Sequence, residues 1–169
     1  MSTTREQAPG DRGPESHGAG PGAVPSDSDG ANSVVSARVL ALSGETGIVP
    51  MARDFTRQAL YDWGWMPATT AEGRAACEDV LLVVSELVTN ACLHAEGPEG
   101  LRVSRTAKVL RLEVSDLGAG QPAPRTPHRA GRPGGHGMFI VQRLCLDWGV
   151  VRAPGAVGKT VWAELAAPA

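Results

Sequence analysis

Asp116 stands where an apolar run, Leu110 to Val114, gives way to Leu117-Gly118-Ala119-Gly120. A carboxylate at a strand end can accept a hydrogen bond from an exocyclic amine such as that of adenine, and two nearby glycines let backbone approach a flat ring closely. The plain alternative is a turn that uses Asp and Gly for turn chemistry. A second group, Gly134-Gly135-His136-Gly137, directly precedes the apolar-periodic segment that opens at Met138. Glycines at a helix N-terminus expose unpaired N–H groups and the positive end of the helix dipole, a recurrent phosphate site. A flexible hinge would use the same residues. Glu86, Asn90 and His94 are spaced four apart, so on a helix they line one flank. Taken alone, that flank reads as solvated. Last, in Gly158-Lys159-Thr160 the threonine could support a base pocket from the sheet. This is no Walker A loop, because the upstream glycine spacing and the following helix are missing.

The elements that must hold these groups can be read from periodicity. Residues 1–32 are Gly, Pro, Ser and charge with almost nothing to bury, which predicts a disordered tail. From Ser33 a β-branched run ending at Gly44 predicts a first strand. Phe55, Ala59, Leu60 and Trp63 predict a helix over residues 49–65, and a longer helix is expected over 71–94 with Gly97 and Pro98 as its stop. In that helix Val80, Leu81, Val84, Leu87, Val88 and Ala91 share one face, which is expected to pack on a sheet. Strands are predicted near 101–106 and 109–116, turning at Ala107 and Lys108. Residues 117–136 lack periodicity and read as a long functional loop. A helix over 137–146 and strands over 148–152 and 159–165 close the chain. The order β, α, α, β, β, loop, α, β, β predicts an α/β two-layer sandwich: a mixed, mostly antiparallel sheet with helices on one face.

With 169 residues, 42% of them apolar, the chain suits one domain, placed over residues 33–169. A net charge of −2 gives no field to attract nucleic acid or an anionic membrane, so partners are expected to be proteins or small molecules. Cys77, Cys92 and Cys145 lack metal spacing and read as reduced packing residues of a cytosolic protein. The longest apolar stretches fall far below the ~18 residues a spanning helix needs, so a soluble, cytoplasmic protein is expected.

Taken together, in this order and separation, the four groups resemble the N, G1, G2 and G3 boxes of the GHKL (Bergerat-fold) ATPases. The likeness is greatest to the small bacterial anti-sigma-factor serine kinases and their single-domain ATP-binding relatives. Ser85-Glu86-Leu87-Val88-Thr89-Asn90-Ala91, Gly135-His136-Gly137-Met138, Trp148-Gly149-Val150 and Gly158-Lys159-Thr160-Val161-Trp162 carry the resemblance, which covers about residues 33–166. It implies ATP and Mg²⁺ as cofactors, Asn90 as a Mg²⁺ ligand, Asp116 as the reader of the adenine amine and Glu86 as general base. It further implies that Gly118, Gly120, Gly135, His136, Gly137, Met138 and Thr160 contribute to the ATP site, with an ATP lid between the glycine pairs. Arg125, Arg129 and Arg132 read as solvated lid charges, and His94 as the close of its helix.

Two functions follow from the resemblance and both stay open here. One is a serine/threonine kinase that phosphorylates an anti-sigma-factor antagonist and binds a sigma factor. The other is a non-catalytic module whose nucleotide sets a protein-binding surface. Relatives often form homodimers, but no stretch of this sequence marks an interface.

Overall fold

The third strand states the logic of the fold. In Val109–Asp116, Leu110, Leu112, Val114 and Asp116 are buried while the residues between them are half-exposed. A strand turns successive side chains to opposite faces, so this period of two commits one face to a core and carries Asp116 there with the leucines. The fifth strand repeats it: Lys159, Val161, Ala163 and Leu165 are buried.

The computed structural model describes residues 33–94, 97–117, 137–152, 154–155 and 157–168. Along these the elements are β1 (Ser36–Ala41), α1 (Ile48–Asp62), α2 (Ala71–His94), β2 (Pro98–Arg105), β3 (Val109–Asp116), α3 (Gly137–Leu144), β4 (Asp147–Val151) and β5 (Lys159–Ala166). The strands form one sheet in the order β1-β2-β3-β5-β4. All four pairings are antiparallel, so the sheet expected to be mixed is wholly antiparallel among the described strands. The expected tail, residues 1–32, and the expected lid, including Arg125, Arg129 and Arg132, lie outside the described residues.

The helices fill one layer. Helix α2 packs against α1 and α3 and against β2, β3 and β5. Its start is fixed by Thr70, whose hydroxyl accepts the Gly73 N–H at 3.0 Å, one of the donors a helix N-terminus leaves unpaired. The face expected to meet the sheet does so: Val80, Leu81, Val84, Leu87, Val88 and Ala91 are all buried, joined by Val83. That stripe alone, at roughly 1.5–3 kcal/mol for each fully buried aliphatic side chain, makes α2 the spine of the domain.

On the other sheet face, Arg102 pairs with Glu113 and Arg111 with Glu164, each at 2.8 Å, and the Arg111 guanidinium lies 4.2 Å over the Trp162 ring. Partly exposed pairs of this kind contribute little each.

Element bounds differ from expectation in small, explicable ways. The strand expected from residue 101 begins at Pro98, the first-residue position a strand allows proline, with an irregularity between Pro98 and Gly100. The first strand starts at Ser36 and ends at Ala41. Of the three cysteines expected in the packing, Cys77 is buried and Cys145 half-buried, but Cys92 is exposed. It is one residue past buried Ala91, about 100° further round α2.

Candidate functional site

Register brings Asp116, at the end of β3, directly opposite Lys159, at the start of β5. Both side chains point to the helix layer, and Lys159 Nζ donates to Asp116 Oδ1 at 3.0 Å. The ion pair is almost wholly desolvated, with the lysine side chain 3% and the aspartate 1% exposed. A charge so placed is tolerated only when paired and hydrogen-bonded.

Gly158 permits this approach. Its φ is +93°, and a Cβ there would land against the Asp116 carbonyl oxygen and 2.9 Å from Leu117 Cα. Only glycine fits both conditions.

Thr160, expected beneath the base, is placed elsewhere. It is the register partner of Ser115 and lines the opposite sheet face with Ser115, Arg102 and Glu113. The β5 residue on the Asp116 side is Lys159. The signal that would have found it is parity: Lys159 shares its face with Val161, Ala163 and Leu165, so a cation in that row points inward.

Helix α2 supplies the other half of the site. Asn90 is 7% exposed and Ser85 9%. Glu86 is half-buried, and its carboxylate lies at the start of α3: a Cβ on Gly137 would fall 2.6 Å from Glu86 Oε2. A carboxylate at that end of a helix is favoured by the dipole. Beside it, Ser85 Oγ donates to Leu81 O at 2.8 Å and accepts from Arg53 Nη1 of α1 at 2.9 Å. Arg53 thus ties α1 to the turn of α2 that carries Glu86, a link with no signature in the sequence.

At α3, Gly137 and Met138 are both buried. The Met138 side chain belongs to the core, so its main chain is the part that could meet a ligand. Gly118, Gly120, Gly135 and His136 lie outside the described residues. His94 is the last residue of α2.

The donor set fits a nucleotide with Mg²⁺. No cluster of three or more His, Cys, Asp or Glu side chains able to hold a metal occurs among the described residues. A Mg²⁺ ion held by the single amide oxygen of Asn90 would take its remaining ligands from phosphate oxygens and water, its usual habit in phosphoryl-transfer sites. The buried carboxylate of Asp116 matches an amine donor, and the N-terminus of the eight-residue α3 matches an anion.

A sheet layered with helices, with a buried carboxylate at one strand end and a glycine-started helix beside an acid, makes this a two-layer α/β domain. Comparison with known proteins narrows the class. The histidine kinase-like ATPase domain family matches residues 43–165, and the chain belongs to that family. Its fold is similar to the crystal structure of the RsbU and RsbW domains of a Mycobacterium tuberculosis protein, with a TM-score of 0.53 and 19% identity over 79% of this chain. This chain spans 33% of that one's length. The histidine kinase domain of a blue-light activated histidine kinase from Erythrobacter litoralis matches 53% of this chain and 44% of its own, at 28% identity and a TM-score of 0.38. A search of curated proteins finds no match.

Proposed function

We propose that this protein is an ATP-dependent serine/threonine kinase of a partner-switching system, which phosphorylates an anti-sigma-factor antagonist and binds a sigma factor. The observation that carries the reading is the placement of the Glu86 carboxylate against Gly137, the first residue of α3. If the N-terminus of α3 receives the terminal phosphates, Glu86 stands beside the phosphorus to be transferred. It is then positioned to take the proton of a substrate serine or threonine hydroxyl. The hydroxyl oxygen forms a bond to the γ-phosphorus while the bond to the β–γ bridging oxygen breaks, and ADP leaves with the electron pair. Catalysis of this kind is mostly positioning and charge neutralisation, which suits a site with one acid and one metal-holding amide.

Asp116 would read the adenine amine, Asn90 would help hold Mg²⁺, and Gly118, Gly120, Gly135, His136 and Gly137 would line adenine and phosphates. The RsbW domain in the similar structure's name agrees with a partner-switching role. Among the described residues no helix is long and apolar enough to cross a membrane, and the reading puts the protein in the cytoplasm.

A second reading rests on the same contact. A carboxylate at the N-terminus of α3 also stabilises that helix, so Glu86 could serve a non-catalytic module in which nucleotide sets a protein-binding surface. Incubation of the purified chain with γ-labelled ATP, Mg²⁺ and the antagonist separates the two. The kinase reading expects label on the antagonist, lost in Glu86→Ala with nucleotide affinity kept within about threefold. No transfer by the unaltered chain sinks it and leaves the module.

A further inference from the structure

Lys159 is buried, cationic and bonded to the one carboxylate assigned to the base, yet no step above uses it. We infer that Lys159 is a positioning residue for base recognition: it holds the Asp116 carboxylate oriented, and so sets the preference of the site for a purine bearing an exocyclic amine. The inference deepens the reading of Asp116 as the residue that meets adenine, and rests on it.

Three observations combine. The pair is 3.0 Å long with both side chains under 5% exposed, so the lysine and not bulk water meets Asp116 Oδ1. Second, the partner is fixed by backbone: Asp116 and Lys159 are register partners in adjacent strands, and Gly158 brings β5 against the Asp116 carbonyl. Third, the carboxylate can serve two donors. An ionised carboxylate only accepts hydrogen bonds, across two oxygens with about four lone-pair positions, so a bond from Lys159 still leaves capacity for an amine. A hypoxanthine base offers a 6-oxo acceptor in place of the amine, and a carboxylate has no hydrogen to give it. Lys159 therefore acts through Asp116, and its signature is base preference, which a purely structural role would not move.

The test compares ATP with ITP, which carries oxygen in place of the amine, by calorimetric titration of the full chain. The unaltered protein should prefer ATP by about tenfold or more, the fold-change expected of one hydrogen bond to a charged group. In Lys159→Met the preference should fall to within about threefold, and in Lys159→Arg it should be largely kept. An unchanged preference in folded Lys159→Met overturns the inference.

Because Lys159→Met leaves a buried carboxylate without its cation, a second measurement avoids altering the site. Lys108 and Lys159 are the chain's two lysines, and Lys108 lies in the β2–β3 turn. In Lys108→Arg protein labelled with ε-¹³C lysine, a single resonance reports Lys159. Saturable displacement of that resonance by ADP, with the affinity found by calorimetry, supports the assignment. A resonance that stays fixed while calorimetry registers bound ADP overturns it. Absence of any calorimetric signal with ATP or ADP instead overturns the base-site reading, and the role of Lys159 with it.

Discussion

Glu86 Oε2 reaches so close to the first residue of α3 that a single added methyl on Gly137 would stand 2.6 Å from it. Acid and helix start are therefore one unit, and glycine is what lets them meet.

Gly137→Ala separates catalysis from stability. The obstructing atom is the far end of a flexible side chain, so the carboxylate can step aside, and alanine's helix propensity offsets part of the cost by about 1 kcal/mol. Urea denaturation should give a stability within about 1 kcal/mol of the parent. Phosphoryl transfer should fall roughly 10- to 100-fold because the acid is displaced by about an ångström. Undiminished transfer would argue that Glu86 does not act from this position.

Gly158→Ala should behave in the opposite manner. Here the new Cβ meets rigid backbone at Asp116 and Leu117, and φ of +93° disfavours any L side chain. Left-handed strain of about 1–2 kcal/mol and overpacking of about 1–3 kcal/mol predict a loss of roughly 2–5 kcal/mol in chemical denaturation. A loss below about 1 kcal/mol would mean that β5 does not lie against β3 as described.

Breaking the Asp116–Lys159 pair from one side leaves a buried charge. Asp116→Asn and Lys159→Met should each cost about 3–5 kcal/mol, since the surviving partner is desolvated without compensation. The double variant should cost less than the sum by more than about 1 kcal/mol. Additive losses in a denaturation cycle would contradict the pair.

The thiols give a pH dependence with a definite sign. Burial, helped by the Asp79 carboxylate, pushes Cys145 from an ordinary value of 9.0 up to about 12. A group whose pKa is raised by folding keeps its contribution below the unfolded value and loses it as pH climbs through the folded one, because the native state then holds the extra proton. Stability should therefore fall between about pH 9 and pH 12, and Cys145→Ala should flatten that fall. In the native protein Ellman's reagent should label exposed Cys92 ahead of buried Cys77 and of Cys145. Equal labelling of all three would contradict the packing.

What could be read from the sequence was whatever depends on local period. The Val80-to-Ala91 stripe located α2, alternation in Val109–Asp116 located β3, and glycine before Met138 located the start of α3. Cross-strand register and tertiary contact are long-range and leave no such trace. Thr160 reads as a base contact by side-chain type, whereas the strand's parity turns it to the far face. Likewise Arg53 is 32 residues from Ser85 in sequence, and only the packing of α1 on α2 joins them. The assigned roles of Glu86 and Asn90 came from motif resemblance, since an acid and an amide on one helical flank are by themselves an ordinary solvated surface. Burial of Asn90 sets it apart from such a surface.

An adenine-nucleotide site at Asp116 is open to calorimetric titration of the purified chain with ATP and ADP in Mg²⁺, repeated on Asp116→Asn. Far-ultraviolet circular dichroism confirms at the working temperature that the variant is folded. Saturable one-site binding by the unaltered chain and a loss of about tenfold or more in the variant are expected. No saturable binding, or equal binding by both proteins, would contradict such a site.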